Sequence, residues 1–216
     1  MSIQTMLTMI LEGMGVSLIL FAVTLVFSLP LGLLISFGRM SKYFILRAIT
    51  SVYISIMRGT PLMLQLMVIY FGPYYLFGVQ ISPTWKNFAA AISFVLNYAA
   101  YFAEIYRGGI ESMPKGQYEA AGILGYSRSQ TFFRIIFPQV IKRILPPVTN
   151  ETITLVKDTS LAFTIGVMEM FTVARALVSA QATMLPFVFA GVMYYILNAV
   201  VAAVMAQIEK KMNYFR

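Results

Sequence analysis

The 216-residue chain is 59% hydrophobic and 11% charged, which excludes an ordinary water-soluble domain because so few charges cannot cover its surface. Sixteen Lys and Arg against eight Asp and Glu give a net charge of +8, but these charges border long apolar runs and form no basic patch for nucleic acid. Since the chain has no cysteine or histidine, disulfides, Cys or His metal sites, imidazole catalysis and cysteine nucleophiles are excluded.

Residues 1–14 precede the first long apolar run and have a helical pattern of their own. Their apolar residues recur at a spacing of three and four, with polar residues between them. This spacing predicts either a short helix that lies in the membrane interface on the outer side or a helical extension of the first span. The apolar positions are Ile3, Met6, Leu7, Ile10, Leu11 and Met14.

Five apolar windows predict five membrane-spanning helices. A hydrocarbon core about 30 Å thick needs roughly 20 residues at 1.5 Å each. Pro30 in the first span predicts a kink, and the fourth span is unusual because it contains Glu151, Lys157 and Asp158. The spans run from about residue 16 to 37, 51 to 71, 88 to 106, 146 to 168 and 186 to 208.

The basic residues predict the direction of these spans. Lys and Arg concentrate on the cytoplasmic side of membrane proteins. One side of the predicted spans carries thirteen of them, the other carries only Lys86 and Arg175, and Lys157 lies within a span. We therefore expect a single all-α transmembrane domain over residues 1–216, with the N-terminus outside and the C-terminus in the cytoplasm.

The connection between the third and fourth spans contains helix signals. Residues 117–124 are compatible with a helix, which Gly125 is placed to end in a left-handed cap. Ser127 and Gln130 form a capping-box pattern that opens a second helix, and Pro138 is expected to end it. The sequence thus predicts a helix, a glycine and another helix on the cytoplasmic face.

This cytoplasmic segment, 107–143, contains more apolar residues than a solvated loop needs. A small apolar surface bordered by Arg and Glu is typical of a docking site for another protein. The alternative is that the segment packs beneath its own spans. The apolar residues are Ile123, Leu124, Phe132, Phe133, Ile135 and Ile136.

The same segment resembles the EAA signature of the membrane subunits of bacterial ATP-binding cassette importers. Two further motifs resemble the polar amino-acid permease branch of that family, and the likeness covers nearly the whole chain. The EAA pattern comprises Glu119, Ala120, Ala121, Gly125, Ile135 and Pro138, with Phe137 where the family has Leu. The branch motifs comprise Arg58-Gly59-Thr60-Pro61-Leu62 with Gln65 and Tyr70-Phe71-Gly72, and then Asn150-Glu151, Lys157-Asp158-Thr159-Ser160-Leu161 and Ile165-Gly166.

The resemblance implies a permease subunit in the bacterial cytoplasmic membrane that is not itself an enzyme. The chain has no G-x-x-x-x-G-K-[ST] motif, so no cofactor is expected on it, and ATP and Mg²⁺ are expected on a partner ATPase. The EAA helix would dock into a cleft of that ATPase. Its coupling residues would be Glu119 for the polar contact, Ala120 and Ala121 beside it, and Gly125 for the turn.

The resemblance also implies a set of partners for this subunit. These are a second permease subunit, identical or homologous, two ATP-binding cassette subunits, and an extracytoplasmic substrate-binding protein that delivers a polar amino acid. Membrane lipid surrounds the spans, and no nucleic-acid partner is expected. The rival functions are a secondary carrier or channel component, in which the intramembrane acids bind protons or cations, and an importer permease for another small charged solute.

The acids of the fourth span are the candidate substrate site. Glu151 and Asp158 are seven residues apart, so they share nearly one helix face with roughly 10 Å of rise between them. An unpaired charge in the bilayer costs about 3 kcal/mol, so both must face protein, water or a ligand. We hypothesise that they hold the ammonium group or a cationic side chain of an amino acid. The alternative is a structural ion-pair network.

Neighbouring residues supply the other expected contacts. Lys157 or backbone N–H groups would meet the carboxylate of the amino acid, and Asn150, Thr154 and Thr159 would form neutral hydrogen bonds. Lys157 cannot reach Glu151 on a regular helix; the alternatives are that it pairs with an acid on another span or that it neutralises Asp158 if the helix unwinds around Thr159 and Ser160.

Two charges near the cytoplasmic ends of the spans complete the candidates. Arg58 precedes a Gly-Thr-Pro break and is a gate candidate at the inner mouth of the pathway, or else an interfacial arginine that extends to lipid phosphates. Glu104 is spaced to pair with Arg107 at i+3.

Overall fold

The computed structural model describes residues 2–212, and throughout that range the chain is helical with short connections. Three helices are long and apolar enough to cross a membrane, and two bent pairs raise the number to five if each pair is one span. The predicted all-α class is confirmed. The helices are α1 (Ile3–Arg39), α2 (Phe44–Gly59), α3 (Leu62–Phe77), α4 (Trp85–Glu111), α5 (Lys115–Ile123), α6 (Arg128–Gln130), a π-helical segment (Thr131–Ile136), α7 (Phe137–Asp158), a 3₁₀ segment (Thr159–Ile165), α8 (Met170–Gln181) and α9 (Leu185–Met212).

The N-terminal residues are a helical extension of the first span. The hydroxyl of Ser2 accepts a hydrogen bond from the backbone N–H of Thr5, and α1 then continues without interruption to Arg39. Residues 3–14 are therefore not a separate helix, and the helical assignment also continues through Pro30. The third and fifth predicted spans correspond to α4 and α9, each a few residues longer than predicted.

Close contact between α1 and α4 forms the centre of the fold. A Cβ atom added at Gly32 of α1 would lie 2.8 Å from the Cβ of Phe102 and 2.9 Å from the carbonyl oxygen of Ala99. Small residues allow membrane helices to approach this closely. Helix α4 is largely enclosed as a result, and its residues that are at most 2% exposed include Ala89, Ala90, Ser93, Phe94, Tyr98, Ala99, Ala100, Phe102 and Ala103.

The second predicted span is interrupted at the Gly-Thr-Pro break that the sequence contains. Helix α2 ends at Gly59, α3 begins at Leu62, and the two helices are bent by 110°. Pro61 causes the break because it lacks an N–H to continue α2 and because it favours an extended conformation at Thr60, which has φ −121° and ψ 147°. Helix α3 also runs past its predicted end, as far as Phe77.

The predicted stop at Pro138 is wrong, and the helix that contains the fourth predicted span begins well before residue 146. Pro138 lies in the first turn of α7, where its missing N–H costs little, and the wider π-helical turns precede it. One helical body therefore runs from residue 128 to 165, although Pro146 and Pro147 lie inside it. After Asp158 the helix tightens into the 3₁₀ segment and does not unwind.

The connection between α4 and α7 has the predicted local structure. Helix α5 ends at Ile123, and Gly125 has φ +79°. The N–H of Tyr126 donates to the carbonyl of Ala121, and the N–H of Gly125 donates to that of Gly122, both at 3.0 Å, which is a Schellman cap. The capping box at Ser127 and Gln130 is present as well. The predictions for this turn are confirmed.

Helix α8 was missed, because residues 169–185 read as a plain outer connection. Its buried residues follow a helical spacing and pack on the start of α1 through Met6 and Ile10. The same spacing is visible in the sequence, so the signal was present. The buried residues are Met170, Val173, Ala174 and Leu177.

The contact at Gly32 predicts a stability difference between two glycines of α1. Gly32→Ala forces the α1 and α4 backbones apart, and we expect it to lower the free energy of unfolding by about 1–3 kcal/mol. A Cβ atom at Gly15 has nothing within 4 Å, so Gly15→Ala should be neutral or stabilising by up to about 1 kcal/mol. Thermal unfolding of the purified variants in detergent measures both, and equal midpoints would contradict the packing argument.

Candidate functional site

Two amides hold the break between α2 and α3 in place. The last carbonyls of α2 have no intrahelical partner, and inside a membrane they must find one. The Nε2 of Gln65 donates to the carbonyls of Met57 and Thr60, at 3.0 and 3.1 Å, and to the Thr60 hydroxyl at 2.8 Å. The Nδ2 of Asn97 donates to the Met57 carbonyl and to the Gln65 Oε1, both at 3.0 Å. The break is therefore built into the fold.

A cavity of about 380 Å³ lies beside this break, between α3, α4 and α7. Its lining mixes two carboxylates with hydroxyl, amide and aromatic groups, a composition that suits a small polar solute. The lining residues are Thr60, Pro61, Leu62, Asn97, Tyr98, Tyr101, Glu151, Thr154 and Asp158.

The geometry of α7 decides which predicted residues reach the cavity. Glu151, Thr154 and Asp158 stand at i, i+3 and i+7, so they share one face. Asn150 and Lys157 are each one position away from that face and are exposed, and neither lines the cavity. The buried Thr159 donates its hydroxyl to the carbonyl of Val156 at 2.8 Å. The structure thus brings three of the six predicted substrate residues together.

The two acids have few partners in the cavity. Asp158 accepts a hydrogen bond of 2.7 Å from the hydroxyl of Tyr98, a side chain that is only 2% exposed. Within residues 2–212, Glu151 has no hydrogen bond, and no Lys or Arg nitrogen lies within 4.0 Å of either carboxylate. Lys157 in particular forms no ion pair with Asp158. An ammonium group that enters the cavity meets two carboxylates without a close cation.

The gate candidate Arg58 contacts one residue that lines the cavity. The guanidinium carbon of Arg58 is 5.2 Å from the ring centre of Tyr101, which lines the cavity, and its Nη1 is 4.0 Å from Glu104. The predicted pair of Glu104 with Arg107 is confirmed, with a shortest distance of 2.6 Å. Arg39 of α1 is also 3.8 Å from Glu104, so three arginines surround this one acid.

The apolar surface next to α5 is smaller than predicted. Ile123, Leu124 and Phe133 are 87%, 74% and 63% exposed, whereas Ile136 is fully buried and Phe132 and Ile135 are partly buried against Met113 and Val140. The exposed three form the surface that we call the docking surface. Of the predicted coupling residues, Glu119, Ala120 and Gly125 are exposed and Ala121 is buried.

A further acid inside the fold, Glu169, was not predicted from the sequence. Glu169 is fully buried and caps α8 by accepting from the N–H groups of Phe171 and Thr172, both at 2.7 Å. The hydroxyls of Thr172 and Tyr194 also donate to it, at 2.7 and 3.0 Å, so it links α8 to α9. Tyr98 and Gln65 were missed as site residues too, because their partners are distant or are backbone atoms.

The relatives found by comparison with known proteins are membrane components of transport systems. The family model described as binding-protein-dependent transport system inner membrane component matches residues 28–214. The arginine transport system permease protein ArtQ of Bacillus subtilis (strain 168) is 37% identical over 207 residues, which cover 94% of this chain and 92% of that protein. The octopine transport system permease protein OccM of Rhizobium radiobacter is 41% identical over 194 residues, which cover 85% and 79%.

Two solved transporter structures also contain a chain that superposes on this one. An amino acid ABC transporter crystallised with histidines has a chain that superposes with a TM-score of 0.87 at 28% identity, covering 98% of this chain and 99% of that one. A chain of the MetNI methionine ABC transporter, in an inward-facing conformation, superposes with a TM-score of 0.73 at 18% identity and shares the fold.

The amide scaffold predicts a cost for removing Gln65. Gln65→Met keeps the length of the side chain but leaves the Met57 and Thr60 carbonyls with fewer donors, so we expect a loss of about 1–3 kcal/mol in the free energy of unfolding. The same change at the exposed Gln80 is the matched control and should be neutral. Thermal unfolding in detergent distinguishes them, and an unaltered midpoint for Gln65→Met would show that the break does not depend on this amide.

Proposed function

This chain belongs to the family of binding-protein-dependent transport system inner membrane components, and from that family we propose how it binds its substrate and obtains energy for transport. Since its relatives at about 37% identity are amino-acid permeases over nearly their whole length, it is the permease subunit of an amino-acid ABC importer. It is a multi-pass membrane protein and has the role of a transport subunit. A secondary carrier, the rival function, does not account for these relatives.

The substrate that we propose is a polar amino acid whose cationic group binds Glu151 and Asp158. One observation carries this proposal: two carboxylates line one cavity beside a broken helix, and no close cation neutralises them. Desolvated acids of this kind attract an ammonium group strongly, because the charge-assisted hydrogen bonds that form replace lost hydration. Thr154 is placed between them to add a neutral hydrogen bond. Relatives named for arginine, glutamine and octopine fit an amino-acid solute.

The energy for transport comes, in this proposal, from a cytoplasmic ATPase that binds the docking surface. The large apolar side chains of the docking surface, at the end of α5 and on the π-helical segment, are costly to expose to water and favour a protein partner. Glu119 and Ala120 lie exposed on the same helix and would complete the contact. ATP and Mg²⁺ would bind to that partner. A second permease subunit and an extracytoplasmic binding protein complete the proposed assembly, with the N-terminus of the chain outside.

Neutralising Glu151 tests the substrate site. In proteoliposomes that contain the assembled transporter, Glu151→Gln should reduce amino-acid uptake at least about tenfold, because one charge-assisted contact worth roughly 1.5–3 kcal/mol is lost. Glu12→Gln makes the same chemical change at an exposed position of α1 and should leave uptake unchanged. Size-exclusion chromatography checks that both complexes assemble. Normal uptake by Glu151→Gln would refute the proposed site.

Changing Gly125 tests the docking surface. Gly125→Pro cannot adopt the left-handed φ and removes the N–H that bonds to Gly122, so the Schellman cap is lost and the docking surface is displaced. We expect retention of the ATPase subunit in a pull-down to fall several-fold while the spans stay inserted. Gly122→Ala, within helix α5 and with nothing near its added Cβ, is the control and should retain the ATPase. Full retention by Gly125→Pro would contradict the docking role.

A further inference from the structure

Two glutamine side chains join helix α5 to helix α7. The Nε2 of Gln117 donates to the Oε1 of Gln139, and the Nε2 of Gln139 donates back to the Oε1 of Gln117, both at 2.9 Å. We call this contact the amide pair. The two residues are 22 positions apart, and both are partly buried. Because each amide supplies one donor and one acceptor, the pair is lost if either side chain becomes apolar.

Helix α5 depends on the amide pair because apolar contacts attach it weakly. Within α5, Ala121 is the residue that is buried, and the burial of one methyl group contributes little to the attachment of a helix. The same helix carries the exposed Glu119 and Ala120 and ends at Ile123 of the docking surface. The amide pair therefore holds the helix that is proposed to meet the ATPase.

The amide pair continues a seam between the end of α4 and α7. Arg143, one helical turn further along α7, donates from Nη1 to the carbonyl and the hydroxyl of Ser112, at 2.8 and 3.0 Å. Met113 is buried in a cluster with Ile136 and Val140. Hydrogen bonds and apolar contacts thus hold the segment that leads from α4 into α5 against the start of α7.

The position of Gln139 lets the amide pair bypass the backbone turns that follow α5. Along the backbone, Leu124 is joined to α7 through Gly125, α6 and the π-helical segment, and π-helical turns are places where a helix can bend. Gln139 lies beyond those turns, within α7. Its Nε2 also donates to the carbonyl of Ile135 at 2.7 Å, which adds a bond across the last of them. A displacement of α5 can therefore reach α7 directly through side chains.

We propose that Gln117 and Gln139 are positioning residues for energy coupling, which clamp α5 to α7 so that a displacement imposed by the ATPase moves Glu151 and Asp158. The proposal rests on the function proposed above and adds the side chains that transmit the movement. Coupling over a distance needs elements that move together, and the seam joins α5 to the helix that carries both acids. Without the amide pair, α5 would still dock, but part of its movement would be lost in the turn at Gly125.

Proteoliposomes that contain the assembled transporter test this proposal. Uptake of radiolabelled L-glutamine and L-arginine and hydrolysis of ATP are measured on one preparation, and the solute that the wild type imports gives the ratio of solute imported to ATP hydrolysed. Gln117→Leu keeps the approximate size of the side chain but removes the amide. The ratio should fall about fivefold, because two hydrogen bonds between α5 and α7 are lost.

Two further variants make the test specific. Gln207→Leu is the same change at an exposed position of α9 and should leave the ratio unchanged. Gln117→Asn keeps an amide that is one methylene too short for the amide pair, so it should lower the ratio as well and does not depend on how leucine is tolerated. In a Gln139→Leu background, Gln117→Leu should cause no further fall, whereas multiplied effects would contradict a shared contact.

The ratio separates coupling from stability. If the glutamines only stabilised the complex, ATP hydrolysis and uptake would fall together, so an unchanged ratio overturns the proposal. Loss of the ATPase subunit in a pull-down of Gln117→Leu also overturns it, because the amides would then shape the docking surface instead of transmitting its movement. If the wild-type chain itself retained no ATPase, the docking role proposed above would fail, which is a separate result.

Discussion

The hydrogen bonds that close the break between α2 and α3 are the constraint on which the site depends. A helix end inside a membrane leaves carbonyls that water cannot reach, and each one without a donor costs several kcal/mol. Gln65 and Asn97 supply those donors, from α3 and from the central helix α4. With the break satisfied in this way, Thr60 and Pro61 can line a polar cavity inside the helical fold.

The charges around the cavity follow from the same scarcity of water. Three arginines surround Glu104 at one end of α4, while Glu151 and Asp158 share a cavity whose neutral donor is Tyr98. Each acid that is removed from water carries a desolvation free energy, which a nearby cation or hydrogen-bond donor must offset. Arginines lie within 4.0 Å of Glu104, whereas in the described part of the chain no Lys or Arg nitrogen lies that close to Glu151 or Asp158, which is why we propose that the cationic group of a solute binds there.

Local signals in the sequence were enough for much of the fold. The caps at Gly125 and Ser127, the long apolar helices, and the shared face of Glu151 and Asp158 all depend on residues close in sequence. The Gly-Thr-Pro break was visible in the sequence, but its 110° bend and the continuation of the helix through Pro138 were not, because tertiary donors and a wider π-helical turn decide whether a proline ends a helix. Tyr98 and Asp158 are sixty residues apart, and only packing brings them together.

The unbroken helical body from residue 128 to 165 has a mechanical consequence. At about 1.5 Å per residue it is roughly 55 Å long, so a single stiff rod begins beside the exposed Leu124 and ends past Asp158. Pushing or twisting its N-terminal end would reorient the carboxylates of Glu151 and Asp158 in its C-terminal half, since no flexible linker lies between them. The π-helical turns and the adjacent prolines Pro146 and Pro147 are the places where this helix can bend, so they determine how much of a displacement at its N-terminal end reaches the carboxylates.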